Sequence, residues 1–219
     1  MVEFRSDGSA PSNAGLTMDM IDRIEIRELL ENWVVWRDAG DFEKFATLWC
    51  EGGRMNATWF QADAVDFTAR AKKAFEAGMI GLHLLGGSSI QVRGARAVAQ
   101  TKMQIIQRDT LEGHRVEVTC TGRFVDALQK AGAGWAIMLR QPVYEIDRIQ
   151  TIDPLGALVL DRDLLDSFPE GYRHLAYLQT KLGFSVSRDL PGTRGPAIGA
   201  LMSRMARWLE GEDKACLAS

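Results

Sequence analysis

The amino-acid sequence predicts an α+β fold in which helices come first and an antiparallel sheet follows. Two observations carry this. Apolar residues recur at helical spacing through the first third of the chain, and three long alternating stretches then follow one another across short Gly-bearing connections. That order belongs to α+β proteins rather than to parallel α/β ones. At 219 residues the chain can form one domain with an appendage and bury a substantial core.

Residues 1–17 read as a disordered leader. Their run MVEFRSDGSAPSNAG lacks the apolar core of a signal peptide, which favours the cytoplasm. A helix is expected from Met18 to Arg37, where Ile26, Leu30 and Val34 stand four apart with Leu29 and Trp33 beside them. A second follows DAGD, capped by Asp41 and burying Phe42, Phe45, Leu48 and Trp49, and Glu51-Gly52-Gly53 ends it. Arg54 to Phe60 reads as a strand. Ala64 to Ala77 reads as a third helix closed by Gly78. In the sheet, Ser88–Val92 turns at Arg93-Gly94 into Ala97–Arg108, Glu112-Gly113 leads to Arg115–Leu128, and Ala131–Gly134 leads to Trp135–Ile149.

These strands are apolar on both faces. In the last, Trp135, Ile137 and Leu139 are expected on one side and Ala136, Met138, Pro142 and Tyr144 on the other. A sheet wet on one side alternates more cleanly. The second face is therefore expected to meet another subunit, which implies a homo-oligomer. After the domain at 18–150 comes a helical extension at 151–219. Asp161–Phe168 and Glu170–Leu182 look helical, and RDLPGTRGP (Arg188–Pro196) is a loop. Ala197–Leu209 puts Ile198, Leu201, Met202, Met205, Trp208 and Leu209 on one stripe, to dock on its own domain or on a neighbour, or else to close a pocket as a lid.

Composition excludes several partners. The net charge of −3 and the absence of a basic stripe argue against nucleic acid, and no apolar run reaches membrane-spanning length. Cys50, Cys120 and Cys216 have neither CxxC nor Cys/His spacing, so neither a disulfide framework nor a zinc site is expected. No G-x-G-x-x-G or metal-ligand cluster calls for a cofactor.

Three residues could carry chemistry. Asp38 continues the series Ile26, Leu30, Val34 onto the buried face, where a carboxylate is costly unless it is paired or lines a cavity. The helix C-terminus also disfavours its charge. His83 lies in the apolar stretch GMIGLHLLGG, with no other ionisable group between Glu76 and Arg93. Arg140 sits mid-strand between Leu139 and Gln141, where its charge needs solvent, an acid or a ligand. Each also has a plain structural reading: a frayed helix end, a satisfied core histidine and an outward strand arginine. His114 and His174 read as surface residues without partners.

The segment IRELLENWVVWRDAGDFEKFATLW (Ile26–Trp49) resembles the opening helices of the SnoaL-like branch of the NTF2-like superfamily. That branch is similar to scytalone dehydratase, hexachlorocyclohexane dehydrochlorinase and bile-acid dehydratases. HLLGGSSIQV (His83–Val92) and the Trp-led strand GWAIMLRQ (Gly134–Gln141) extend the likeness over about Ile21–Ile149. The resemblance implies a cone-shaped half-barrel wrapped by helices around a deep pocket. It implies that Asp38 and His83 form an acid–base dyad and that Arg140 assists a leaving group. Five residues before the acid, those lyases carry a Lys or Tyr, and this chain carries Trp33.

The function implied is a cofactor-independent lyase. It would remove water, or a small aldehyde such as formaldehyde, from a small hydroxylated aromatic substrate. Asp38 orients His83, His83 takes the proton and Arg140 steadies the developing anion. Trp33, Asn56, Thr58, Trp59 and Tyr144 are the expected pocket lining, although strand alternation separates Asn56 and Thr58 from Trp59. A proton-transfer isomerase or polyketide-type cyclase could use the same base. A ligand binder, or a structural subunit of the dioxygenase β type, shares the fold without chemistry. A homotrimer follows from the family analogy alone.

Overall fold

The computed structural model describes residues 17–132, 134–153 and 158–218. Of the leader expected at 1–17, all but Thr17 lies outside these residues. The Thr17 hydroxyl accepts the Met20 amide and caps α1 (Met18–Ala39), which ends at Gly40 with φ 79°. Helix α2 (Phe42–Ala46) is capped by Asp41, and Trp49 opens strand β1 (Trp49–Asn56) instead of closing that helix. Residues 57–60 turn the chain into the short β2 (Gln61–Asp63), and α3 (Ala64–Glu76) follows.

Four long strands build the rest of the sheet: β3 (Ile80–Arg93), β4 (Arg96–Leu111), β5 (His114–Ala131) and β6 (Gly134–Thr151). β3 begins well before the expected Ser88, because Ile80, Leu82 and Leu84 alternate with Gly81, His83 and Leu85. The period of two is masked in sequence by apolar residues on both faces. Between β4 and β5, Glu112 (φ 50°) and Gly113 (φ 83°) both take the left-handed conformation that a tight hairpin matching strand twist requires.

The order across the sheet is β2-β1-β6-β5-β4-β3. All neighbours are antiparallel except β1 and β6, a parallel pair that the meander reading did not anticipate. β3 is an edge strand, and α1 lies along it. Arg37 donates to the Gly81 carbonyl at 3.2 Å and Arg27 to that of Gly86 at 2.8 Å. Arg23 donates to the Ile90 carbonyl, and Asp38 accepts the His83 amide at 2.6 Å. Four of the backbone groups that a neighbouring strand could use are therefore engaged by side chains of α1.

Each face of the sheet holds its own core. On the inner face, Ile26, Leu30 and Trp33 of α1 pack with Phe45, Phe67, Phe124 and Val118, joined by Leu175, Tyr177 and Leu178 of α5 (Arg173–Lys181). On the outer face, Leu201, Met205 and Trp208 of α6 (Pro196–Leu209) cover Val98, Val125, Ala127 and Leu139. Leu217, in the 3-10 turn Lys214–Leu217, closes that cluster. The stripe thus docks on its own domain, one of the two docking alternatives, and this corrects two other expectations. The chain itself supplies a cover for the outer face, and α6 lies across the sheet from the cavity, so it is not a lid. Farther along that face Leu82, Leu84 and Ile146 stay exposed.

β6 carries two bulges, and the first explains the misassigned face pattern. Ala127 pairs with Leu139 but Leu128 with Ile137, so Met138 is an extra residue and Leu139 joins the face opposite Ile137. The second bulge falls at Glu145, opposite the junction of Thr121 and Gly122. A Cβ on Gly122 would sit 2.1 Å from the Val143 carbonyl oxygen, so glycine is required for that close approach. α4 (Arg162–Asp166) and α5 are shorter than the expected helices, but they occupy the expected places.

Candidate active site

Between the inner face of the sheet, α1, α3 and α5 lies a cavity of about 380 Å³. Its walls are mostly apolar: Trp33 from α1, Met55 from β1, Phe67 from α3, Phe124 from β5 and Phe184 beyond α5. Exposed Arg70 and Lys73 on α3 stand where the cavity meets solvent.

Asp38 and His83 meet at its wall. Asp38 occupies the last turn of α1, one turn beyond Val34, and His83 points inward from β3. The His83 Nδ1 lies 2.9 Å from one carboxylate oxygen of Asp38, and the other oxygen accepts the His83 backbone N–H. Arg37 donates to the same carboxylate at 2.9 Å. A carboxylate only accepts, so the ring carries its proton on Nδ1 and leaves Nε2 with a free lone pair. Among the described residues Nε2 has no hydrogen-bond partner, and His83 lines the cavity.

Electrostatics keep this pair as carboxylate and neutral imidazole. Burial alone would raise the Asp38 pKa, but the bonds and charges of His83 and Arg37 together outweigh it and hold the group below the ordinary carboxylate value. For His83, burial is the largest cause and Arg37 the next, with Arg140 adding to them. Together they overcome the stabilising effect of Asp38 and push the imidazole down to about 4. The ring is also held by Trp33, edge-on at 5.3 Å between centroids.

Arg140 is brought near but not into the cavity. It is fully buried and forms a two-point pair with Asp126, at 2.8 Å and 3.0 Å. Its guanidinium carbon lies 4.4 Å from both the Trp33 and the Phe124 ring centroids. The contact with a leaving group that the resemblance implies for Arg140 is thus replaced by a place behind the aromatic wall, paired through Nε and Nη2 with Asp126, while its buried Nη1 has no partner among the described residues. The cation that lines the cavity beside the dyad is Arg37, whose Nε has no partner among the described residues. It sits one turn after Trp33 on the same helix stripe, a signal available in the sequence and not used.

Of the expected lining, Trp33, Thr58, Trp59 and Tyr144 are all present. Thr58 and Trp59 both reach the cavity because the strand has ended at Asn56 and alternation no longer applies. Asn56 does not. Its neighbour Met55 faces in, so Asn56 faces out and donates to Gln141 at 2.9 Å. Burial raises the pKa of Tyr144, which stays a phenol. Sequence reasoning also missed Gln107 and the contribution of the extension. Leu175, Gln179 and Phe184 close one side of the cavity.

His174 corrects another expectation. It is partly buried, with Nδ1 2.8 Å from Asp147, whose second oxygen accepts the backbone N–H groups of His174 and Leu175. Asp147 thereby caps α5 from β6. Among the described residues no three His, Cys, Asp or Glu side chains gather as a metal site, and no helix is long and apolar enough to cross a membrane.

Residues 18–141 match the SnoaL-like domain family. Pea pathogenicity protein 2 of Fusarium vanettenii is 33% identical over 97% of this chain and 98% of its own. A PEP2-like protein of the same fungus is also 33% identical, over 94% of each chain. Among solved structures, a candidate scytalone dehydratase from Novosphingobium aromaticivorans superposes with a TM-score of 0.53 at 17% identity, covering 64% of this chain and 97% of that one. A type 2 hexachlorocyclohexane dehydrochlorinase gives a TM-score of 0.52 at 8% identity, covering 64% and 95%. At such identities the likeness is one of fold: a curved, unclosed six-stranded sheet with helices on it.

Proposed function

Because this chain belongs to the SnoaL-like domain family, we propose that it is a cofactor-independent lyase acting on a small hydroxylated, aromatic or otherwise apolar substrate. The observation that carries this reading is the Asp38–His83 pair opening Nε2 toward an apolar cavity. Nε2 takes a proton from the substrate, and Asp38 holds the ring and stabilises its charged form while that form exists. With burial, and then Arg37 and Arg140, disfavouring the imidazolium, the proton does not rest on His83. It passes on to the departing oxygen, as the elimination of water requires. Loss of formaldehyde from a hydroxymethyl group would use the same base. Arg37 takes the part of the cation facing the reacting atoms, and Arg140 acts through the wall on His83. The proposal includes a homotrimer in the cytoplasm, with the exposed Leu82, Leu84 and Ile146 as the apolar surface left for a neighbour.

The test is turnover on a panel of hydroxylated aromatics and β-hydroxy ketones, with released water or formaldehyde identified from the products. Asp38→Asn and His83→Ala are each expected to fold and to lose about three orders of magnitude in kcat. Turnover within a few-fold of wild type in either variant would remove the dyad from the mechanism.

A further inference from the structure

Gln107 on β4 lines the cavity, is 5% exposed, and its Nε2 has no acceptor among the described residues. A relay of neighbours engages the oxygen end of its amide. The Thr58 hydroxyl donates to Gln179 Oε1 at 2.6 Å, and Gln179 Nε2 donates to Gln107 Oε1 at 3.2 Å. The Gln107 oxygen is engaged, and a buried donor remains. In the β3–β4 ladder Gln107 pairs with Gly81, and Ile105 with His83, and all four line the cavity. Gln107 and His83 are therefore diagonal neighbours on one face, about 7 Å apart at their side-chain roots. One small molecule can reach both.

We infer that Gln107 Nε2 donates to a carbonyl oxygen of the substrate, which is then a neutral β-hydroxy ketone. The inference rests on the elimination proposed above. His83 Nε2 removes the proton from the carbon beside the carbonyl, and the electron pair moves into the enolate, whose oxygen is held by Gln107. As the enolate collapses to the enone, the Cβ–O bond breaks. The departing hydroxyl takes the proton from the imidazolium and leaves as water. Gln179, Thr58 and Tyr144 around Gln107 are uncharged, so its N–H matches a carbonyl oxygen, and the negative charge that develops on that oxygen in the enolate is held by the same donor. Gln179 belongs to α5, beyond the end of the family match at residue 141, so the extension orients the residue that selects the substrate.

Binding tests this without turnover. Trp33 and Trp59 line the cavity, so tryptophan fluorescence can follow titration with 1-tetralone and with tetralin, its hydrocarbon counterpart. Wild type is expected to bind the ketone about ten-fold more tightly. Gln107→Leu and Gln107→Met should lose that preference and keep their affinity for tetralin. His83→Ala should retain the preference, which separates this subsite from the dyad. The inference is overturned if wild type has no ketone preference, or if either Gln107 variant that folds keeps it. Loss of the preference in His83→Ala would overturn it too, since the dyad would then hold the ketone. So would a preference confined to the alcohol 1-tetralol, which would mean that the relay runs the other way.

Discussion

His83 is uncharged in the folded protein because it is buried beside two arginines, and that state carries a stability signature. Its folded pKa of about 4 lies below the ordinary value of 6.5. Between these values the unfolded chain binds the extra proton and the folded one does not, so stability falls as pH drops through this window and is complete above it. The contribution is on the order of 3 kcal/mol at most. Urea unfolding at pH 4.5 and pH 7 should show this loss in wild type and a much smaller one in His83→Gln; equal losses would mean that His83 is not buried neutral. At this scale the sequence was informative where a residue violated its local pattern. A carboxylate on an apolar helix stripe and a histidine in an apolar run both stood out. Arg140 stood out as well, but its partner Asp126 lies on the neighbouring strand with no local mark. Gln107 violated nothing: a glutamine inside a strand looks like any solvated position until its neighbours are known.

Among the elements, α5 depends on a cap that its own sequence does not contain. Its N-cap position is Tyr172, which makes no side-chain capping bond, and Asp147 of β6 accepts the amides instead. Asp147→Ala is expected to cost about 2 kcal/mol in urea unfolding. It should also accelerate amide exchange over residues 175–182, while β4 and β5 stay protected; uniform exchange would show that α5 does not open by itself. The helices and hairpins were legible because their signals are local: apolar spacing, capping residues and paired turn residues. The bulges at Met138 and Glu145 were not. A bulge inserts one residue without changing composition, yet it moves every later side chain to the other face, which is how Leu139 came to be misassigned. The parallel pairing of β1 with β6 joins residues as far apart in sequence as Trp49 and Ile137, and nothing in either segment announces it.

For the whole molecule, one sheet separates two jobs. The inner core shapes the cavity, and the outer core anchors α6 through Trp208, which is 1% exposed, donates to the Leu128 carbonyl and lies under Arg96. Trp208→Ala should therefore destabilise the protein by about 3–5 kcal/mol while leaving ketone affinity unchanged at temperatures where the variant is folded. A parallel loss of affinity would mean that the sheet transmits strain between its faces. The general shape was readable because two-faced apolar strands demand two covers; which cover the chain itself supplies depended on how the extension wraps. The closed margin along β3 has a consequence of another kind. The opposite margin, β2, is only three residues long, whereas β3 is a long outer margin along which the sheet could template growth onto a second sheet. It is guarded by arginines of α1 and by the Asp38 carboxylate itself. One oxygen of Asp38 meets the His83 ring and the other stops a backbone amide from pairing with a foreign strand, so under the proposed mechanism selection on catalysis and selection on solubility bear on the same side chain.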